Sequence, residues 1–136
     1  MQGIASTILG AAILLNSSTI PLLTDVQKNL EKLVIPTTKL TVIATAYSSH
    51  VNQTDDTPDI TASNKKVYDG VLAANFLKFG TKVKIPALFG DKIFTVEDRM
   101  NRRYINANPP RIDVWFDSLA AAKKFGVKTF EIEVLN

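Results

Sequence analysis

Two aspartates, Asp98 and Asp113, stand in the stretch "VEDRMNRRYINANPPRIDVWF", residues 96–116, each at an apolar-alternating segment and each with an arginine beside it. Side chains alternate along a strand, so in "RIDVWF" Ile112, Val114 and Phe116 face a core while Arg111, Asp113 and Trp115 share the opposite face. Packing does not require an acid between a guanidinium and an indole. A sugar site would use the set: the indole stacks on a pyranose face, and acid and guanidinium address hydroxyl and acetamido groups. The same three residues also read as a surface ion pair beside an exposed Trp, worth ~0–1 kcal/mol.

Asp98 ends the segment "KIFTVED", where alternation puts it on the face of Phe94 and Val96, at the rim of an apolar surface. Desolvation there would raise its pKa, while Arg99, Arg102 and Arg103 would lower it. It also reads as a turn-starting Asp bonded to its own hairpin. The two segments are joined by one polar hairpin, so their strands are expected to be neighbours and their acids to point into one cleft. His50 is expected to be a solvated loop histidine. "HVNQTDD" matches no metal-ligand spacing, and neither a metal nor a cofactor is expected.

The elements that must position these acids follow from periodicity. From residue 39 the apolar period is two: "KLTVIATAY" puts Leu40, Val42, Ala44 and Ala46 on one side. Residues 48–66 are polar and read as a long surface loop. "DGVLAAN", "GTKVKIP", "DKIFTVED", "RIDVWF" and "KTFEIEVL" read as five further strands, and "DSLAAAKKFG" as a short helix capped by Asp117 and stopped by Gly126. Six short strands and one helix make a mainly β domain, and a small closed barrel would leave no exposed edges. Val42, Val83, Ile85, Phe94, Val96, Ile112, Val114, Ile132 and Val134 are its expected core.

The amino end differs. Residues 3–15 are small, apolar and uncharged, too short to span a bilayer, which takes ~20 residues. They suit the apolar part of an export signal or anchor, although no Lys or Arg precedes residue 28. Residues 24–34 then read as an amphipathic helix, with Thr24 as cap and Val26, Leu30, Leu33 and Val34 on one stripe, ended by Pro36. The expected division is a helical leader over residues 1–37 and one β domain over 38–136. With 136 residues, 16 Lys and Arg against 13 acids, and no cysteine, the chain holds one compact domain without disulfides or thiolate metal sites. The charge of +3 is too mild to mark a nucleic-acid binder, and it suits a polyanionic surface.

In their order, "IATAY", "ITAS", "DGVLAANFLKFGTKVKIP", "FTVEDR", "RIDVWF" and "AAKKFGVKTFEIEVL" resemble the 3D domain, named for three aspartates and related to the MltA-type peptidoglycan lytic transglycosylases. The resemblance covers about residues 40–135. It implies a six-stranded double-psi β-barrel and cleavage of the MurNAc–GlcNAc bond with 1,6-anhydro ring formation. Asp113 matches the family's last aspartate, its usual acid/base, and Asp98 the middle one. Asn75, in "LAANF", stands where the family has its first, and the basic hairpin replaces a Gly-rich turn. Thr45, Tyr47, Thr61 and Ser63 match polar positions that line the family's cleft, so these four, with Asn75, Arg111 and Trp115, are the expected substrate contacts.

The implied setting is the cell envelope: a secreted or membrane-anchored monomer acting on glycan strands. Two other readings stand beside it. One is a barrel that binds wall glycan without cleaving it, motivated by Asn75 and the basic hairpin. The other is a protein-interaction domain that uses the helix at 24–34 as its contact.

Overall fold

The computed structural model describes residues 25–30, 35–50 and 56–136. Residues 25–30 are helical, within the expected 24–34. Val26 and Leu30 are exposed there, at 53% and 56%. The apolar run at 3–15 and the remainder of the expected leader helix lie outside the described residues. Among the described residues, no helix is long and apolar enough to cross a membrane.

Residues 36–136 form a compact, mainly β unit. Its strands are β1 (Thr37–Tyr47), β2 (Val71–Ala74), β3 (Lys82–Lys84), β4 (Ile93–Asp98), β5 (Arg111–Trp115) and β6 (Lys128–Leu135). Two short helices, α1 (Pro86–Phe89) and α2 (Leu119–Phe125), and a 3₁₀ turn at Arg102–Tyr104 complete it. The six-stranded sheet runs β1-β5-β2-β4-β3-β6, and β6 pairs again with β1. The β1–β5 and β2–β4 pairs are parallel and the others antiparallel.

The period-two pattern places the core as expected. All nine residues named for it are buried, and Leu72 and Ala74 of β2 join them. Phe116 and Phe130 are partly buried and pack against that cluster.

Four local expectations need correction. The strands flanking the basic hairpin are not neighbours: β4 pairs with β2 and β3, β5 pairs with β1 and β2, so β2 lies between them. The cap of α2 is Ser118, whose Oγ accepts the Ala121 N–H at 3.2 Å. Residues 86–89 form a helical turn: Pro86 supplies the preset φ of a first helical residue, and Gly90 closes it at φ +56°. Part of the expected surface loop is a built turn. Ile60 bridges Lys66, the Thr61 N–H donates to the Lys65 carbonyl at 2.8 Å, and Asn64 takes a positive φ of 66°.

Candidate active site

Strand register assembles the site. Thr45 of β1 is paired with Asp113 of β5, Asp113 with Ala73 of β2, and Ala73 with Asp98 of β4. The four residues form one row across four strands. Their flanking neighbours Ala44, Ile112, Val114, Leu72 and Ala74 belong to the core, so the row faces away from it. Ala73, with a single methyl, sits between the two acids and leaves room above the sheet.

Asp98 reaches this row through a β-bulge. Leu72 pairs with Val96 but Ala73 pairs with Asp98, so Glu97 is an extra residue in β4. Strict alternation would put Asp98 with Phe94 and Val96. The bulge turns it instead to the face of Ala73 and Asp113, which corrects the expected rim position.

The two acids are held differently. Thr45 Oγ1 donates to Asp113 Oδ1 at 3.0 Å. Burial pushes the Asp113 carboxyl up to about 6, Thr45 opposes that shift, and the nearby Asp98 adds to it. Asp98 accepts three hydrogen bonds: from the Tyr47 hydroxyl at 2.6 Å, the Ala62 N–H at 2.9 Å and its following Arg99 N–H at 2.9 Å. Tyr47 is itself buried; burial, followed by the charge of Asp98 and the hydrogen bond to it, raises its phenol far above the usual range. Tyr47 therefore stays a donor, and it orients Asp98.

Above the row is a cleft of about 620 Å³. Its floor is Thr45, Tyr47, Ala73, Asp98 and Asp113, and its walls come from Pro58 and Ile60 on one segment and residues 99–104 on the other. Thr45, Tyr47, Asp98 and Asp113 were expected at such a site and meet there. A carboxyl that keeps its proton to about pH 6, in a polar cleft beside a second, firmly oriented carboxyl, can donate a proton to a bound oxygen and take one back.

The arginines do not pair with these acids. Arg99 donates to the carbonyls of Ala74 and Leu77, with its guanidinium 3.8 Å from the centroid of the Phe79 ring. Arg103 and Arg111 both lie over the Tyr104 ring, at 4.7 and 4.8 Å. Among the described residues, every ion pair is made by a lysine. Arg111 thus leaves Asp113 free to hold its proton.

Five of the expected contacts fall elsewhere. Asn75 ties down the loop after β4: its Oδ1 accepts the Met100 N–H at 2.9 Å and its Nδ2 donates to the Asn101 carbonyl at 3.1 Å. Trp115 shares the Asp113 face, as alternation requires, but its Nε1 donates to Ser49 Oγ at 3.1 Å and it does not line the cleft. Arg111 is likewise outside the lining. Thr61 and Ser63 do not line it either; they belong to a cluster around Glu97.

Glu97 was not anticipated. It is only 2% exposed, yet it is a carboxylate on the outer side of β4. Its Oε1 accepts from Lys65 Nζ at 2.7 Å, its Oε2 from Ser63 Oγ at 2.6 Å, and its backbone carbonyl from the Ser63 N–H at 3.0 Å. Thr61 Oγ1 and Ser63 Oγ are 3.0 Å apart. Burial alone would raise the Glu97 carboxyl. The hydrogen bonds from Lys65 and Ser63, with the charges of Lys65 and Lys82, outweigh it and hold the group below the usual carboxylate range. This latch fixes the turn that offers the Ala62 N–H to Asp98. The available signal was two successive acids at a strand end, which only a bulge can keep off the apolar face.

Among the described residues, no group of three or more His, Cys, Asp or Glu side chains could hold a metal ion. No protein-family model matches the chain, and a search of curated proteins finds no match.

Proposed function

We propose that this chain is a lytic transglycosylase-like domain of the 3D type, its six strands a double-psi β-barrel, and that it cleaves the MurNAc–GlcNAc bond of peptidoglycan outside the cytoplasmic membrane. The observation that carries the reading is Asp113: a carboxyl in a cleft floor, raised to about 6 by burial and placed one alanine away from a second carboxyl. The sequence resemblance and the parallel pairs within a ring of six strands support the fold assignment.

The chemistry balances with one carboxyl. Protonated Asp113 gives its proton to the glycosidic oxygen as the C1–O bond breaks. Asp98, oriented by Tyr47 and two backbone N–H groups, faces the positive charge that develops at C1. The Asp113 carboxylate then takes the proton of the C6 hydroxyl, whose oxygen closes on C1 to give the 1,6-anhydro ring. Asp113 ends protonated, and no water is consumed. The intramolecular nucleophile is why a single acid/base suffices, where hydrolytic glycosidases use a carboxyl pair for acid and base or nucleophile.

The test is digestion of purified sacculi with mass spectrometry of the soluble fragments. Release of 1,6-anhydromuropeptides by the wild type, lost in Asp113→Asn, is the expected result. Hydrated reducing ends would replace this mechanism with hydrolysis. Binding to sacculi without release would make the domain a glycan-binding module.

A further inference from the structure

Residues 102–104 form a cationic rim on the cleft whose charge no carboxylate among the described residues neutralises. Arg102 and Arg103 line the cleft and are exposed, and among the described residues no carboxylate lies within ion-pair distance of either. The rim is built, not loose. Asn101 Oδ1 accepts the Arg103 N–H at 3.0 Å and starts the 3₁₀ turn, while Asn75, the residue after β2, holds Met100 and Asn101. Arg103 donates to the Tyr104 hydroxyl at 2.7 Å and stacks on that ring, which also carries Arg111. A guanidinium has five N–H donors in a fixed fork, so one bond to Tyr104 leaves Arg103 able to take a planar anion. Arg99, by contrast, is spent on two backbone carbonyls.

The cleft is therefore polarised. Its floor offers carboxyls to hydroxyls, and its rim offers guanidinium groups that pair with no carboxylate among the described residues. A neutral glycan would leave that rim unmatched. We propose that Arg102 and Arg103 select a ligand bearing a carboxylate, seated over the 102–104 turn while its sugar ring lies over Asp113 and Asp98. This inference rests on the glycan reading above and adds a requirement to it: an acidic glycan, not a neutral one. In peptidoglycan the carboxylate has two sources, the lactyl group of a peptide-free MurNAc and the carboxyls of a stem peptide.

The experiment measures binding to Asp113→Asn protein, so that turnover does not interfere. Three probes are titrated calorimetrically at low salt: a neutral GlcNAc tetrasaccharide, a peptide-free GlcNAc–MurNAc tetrasaccharide, and the same glycan carrying stem peptides. At least one acidic probe should bind roughly tenfold more tightly than the neutral one, the scale of one charge-assisted pair. The preference should shrink as salt is raised. Adding Arg102→Ala and Arg103→Ala should abolish the preference with an unchanged melting temperature, and the paired Lys substitutions should keep part of it. Which acidic probe wins identifies the source of the carboxylate. Equal affinity for neutral and acidic probes, or a preference that survives the double Ala change, overturns the inference and leaves the glycan cleft standing. No binding of any probe overturns both.

Discussion

Asp113 and Glu97 are two acids on the outer side of one sheet, and their environments drive them in opposite directions. Glu97 is the more deeply buried, at 2% exposure, yet its carboxyl is held below the usual range. Asp113 is partly open to the cleft and is raised to about 6. Burial raises both. The difference is the partner set. Glu97 faces the Lys65 ammonium and the Ser63 hydroxyl, whereas Asp113 has one hydroxyl, from Thr45, and a second acid nearby. Burial makes the protonation state sensitive, and the neighbours decide which way it goes. One site is a latch and the other is poised to exchange a proton.

The largest effect that would break this contrast is on turnover. Asp113→Asn keeps the shape and the Thr45 contact but removes the exchangeable proton. Release of anhydro-sugars from sacculi should fall by ~10²–10⁴-fold, as for other general acid–base groups. An unchanged rate would remove Asp113 from the chemistry.

The same substitution should stabilise the fold. The raised pKa means that the folded state holds more protons than the unfolded chain between about pH 4 and about 6, so Asp113 lowers stability as pH rises through that window and by a constant amount above it. Asp113→Asn should therefore gain roughly 3 kcal/mol at most at pH 7.5 and almost nothing at pH 4, read from urea melts. A gain that does not grow with pH would show that the carboxyl titrates normally.

Glu97→Gln should behave in the opposite sense. Its depressed pKa gives stability that is present above the unfolded value and lost as pH falls through the folded one. Losing a charge-assisted bond to a buried group should cost ~1.5–3 kcal/mol at neutral pH, with the difference closing in acid. Release of the 61–65 turn should also speed hydrogen exchange at the Ala62 N–H beyond what a remote destabilisation would cause, because that donor meets Asp98. More specifically, its protection factor should drop more than those of β6 amides.

What the sequence revealed followed from local pattern. Val42, Phe94, Val96, Ile112 and Val114 were legible as core because alternation is a property of each segment alone, and Asp113 stood out because its face needed no acid. Strand order and register were not legible. The polar hairpin between β4 and β5 suggested direct pairing, but pairing is settled by the whole sheet, and β2 enters between them with Ala73 facing both acids. The bulge at Glu97 was hidden for a related reason. Whether "TVED" alternates or slips depends on its partner strand, so the true face of Asp98 and the burial of Glu97 could not be read from β4 by itself. Thr61 and Ser63 match polar cleft positions of the resembled family, but the acid they serve here, Glu97, lies one residue before Asp98.

The smallest expected effect concerns Asn75, which stands where the resembled family has an aspartate. If that position were a vacancy in the reacting row, Asn75→Asp would raise activity. The geometry argues otherwise. Both ends of the Asn75 amide are engaged, Oδ1 by the Met100 N–H and Nδ2 by the Asn101 carbonyl, and the side chain does not line the cleft. An aspartate could still accept from Met100, but its second oxygen would replace a donor now 3.1 Å from a carbonyl oxygen, setting two acceptors against each other. Asn75→Asp should thus cost about 1 kcal/mol, the scale of one lost hydrogen bond, and loosen the loop that carries Arg102 and Arg103. Sacculus digestion should show no gain in turnover, with KM rising more than kcat falls because the loop walls the cleft while Asp113 and Asp98 stay in register. A clear increase in kcat would place residue 75 among the reacting groups and make the latch-and-acid contrast incomplete.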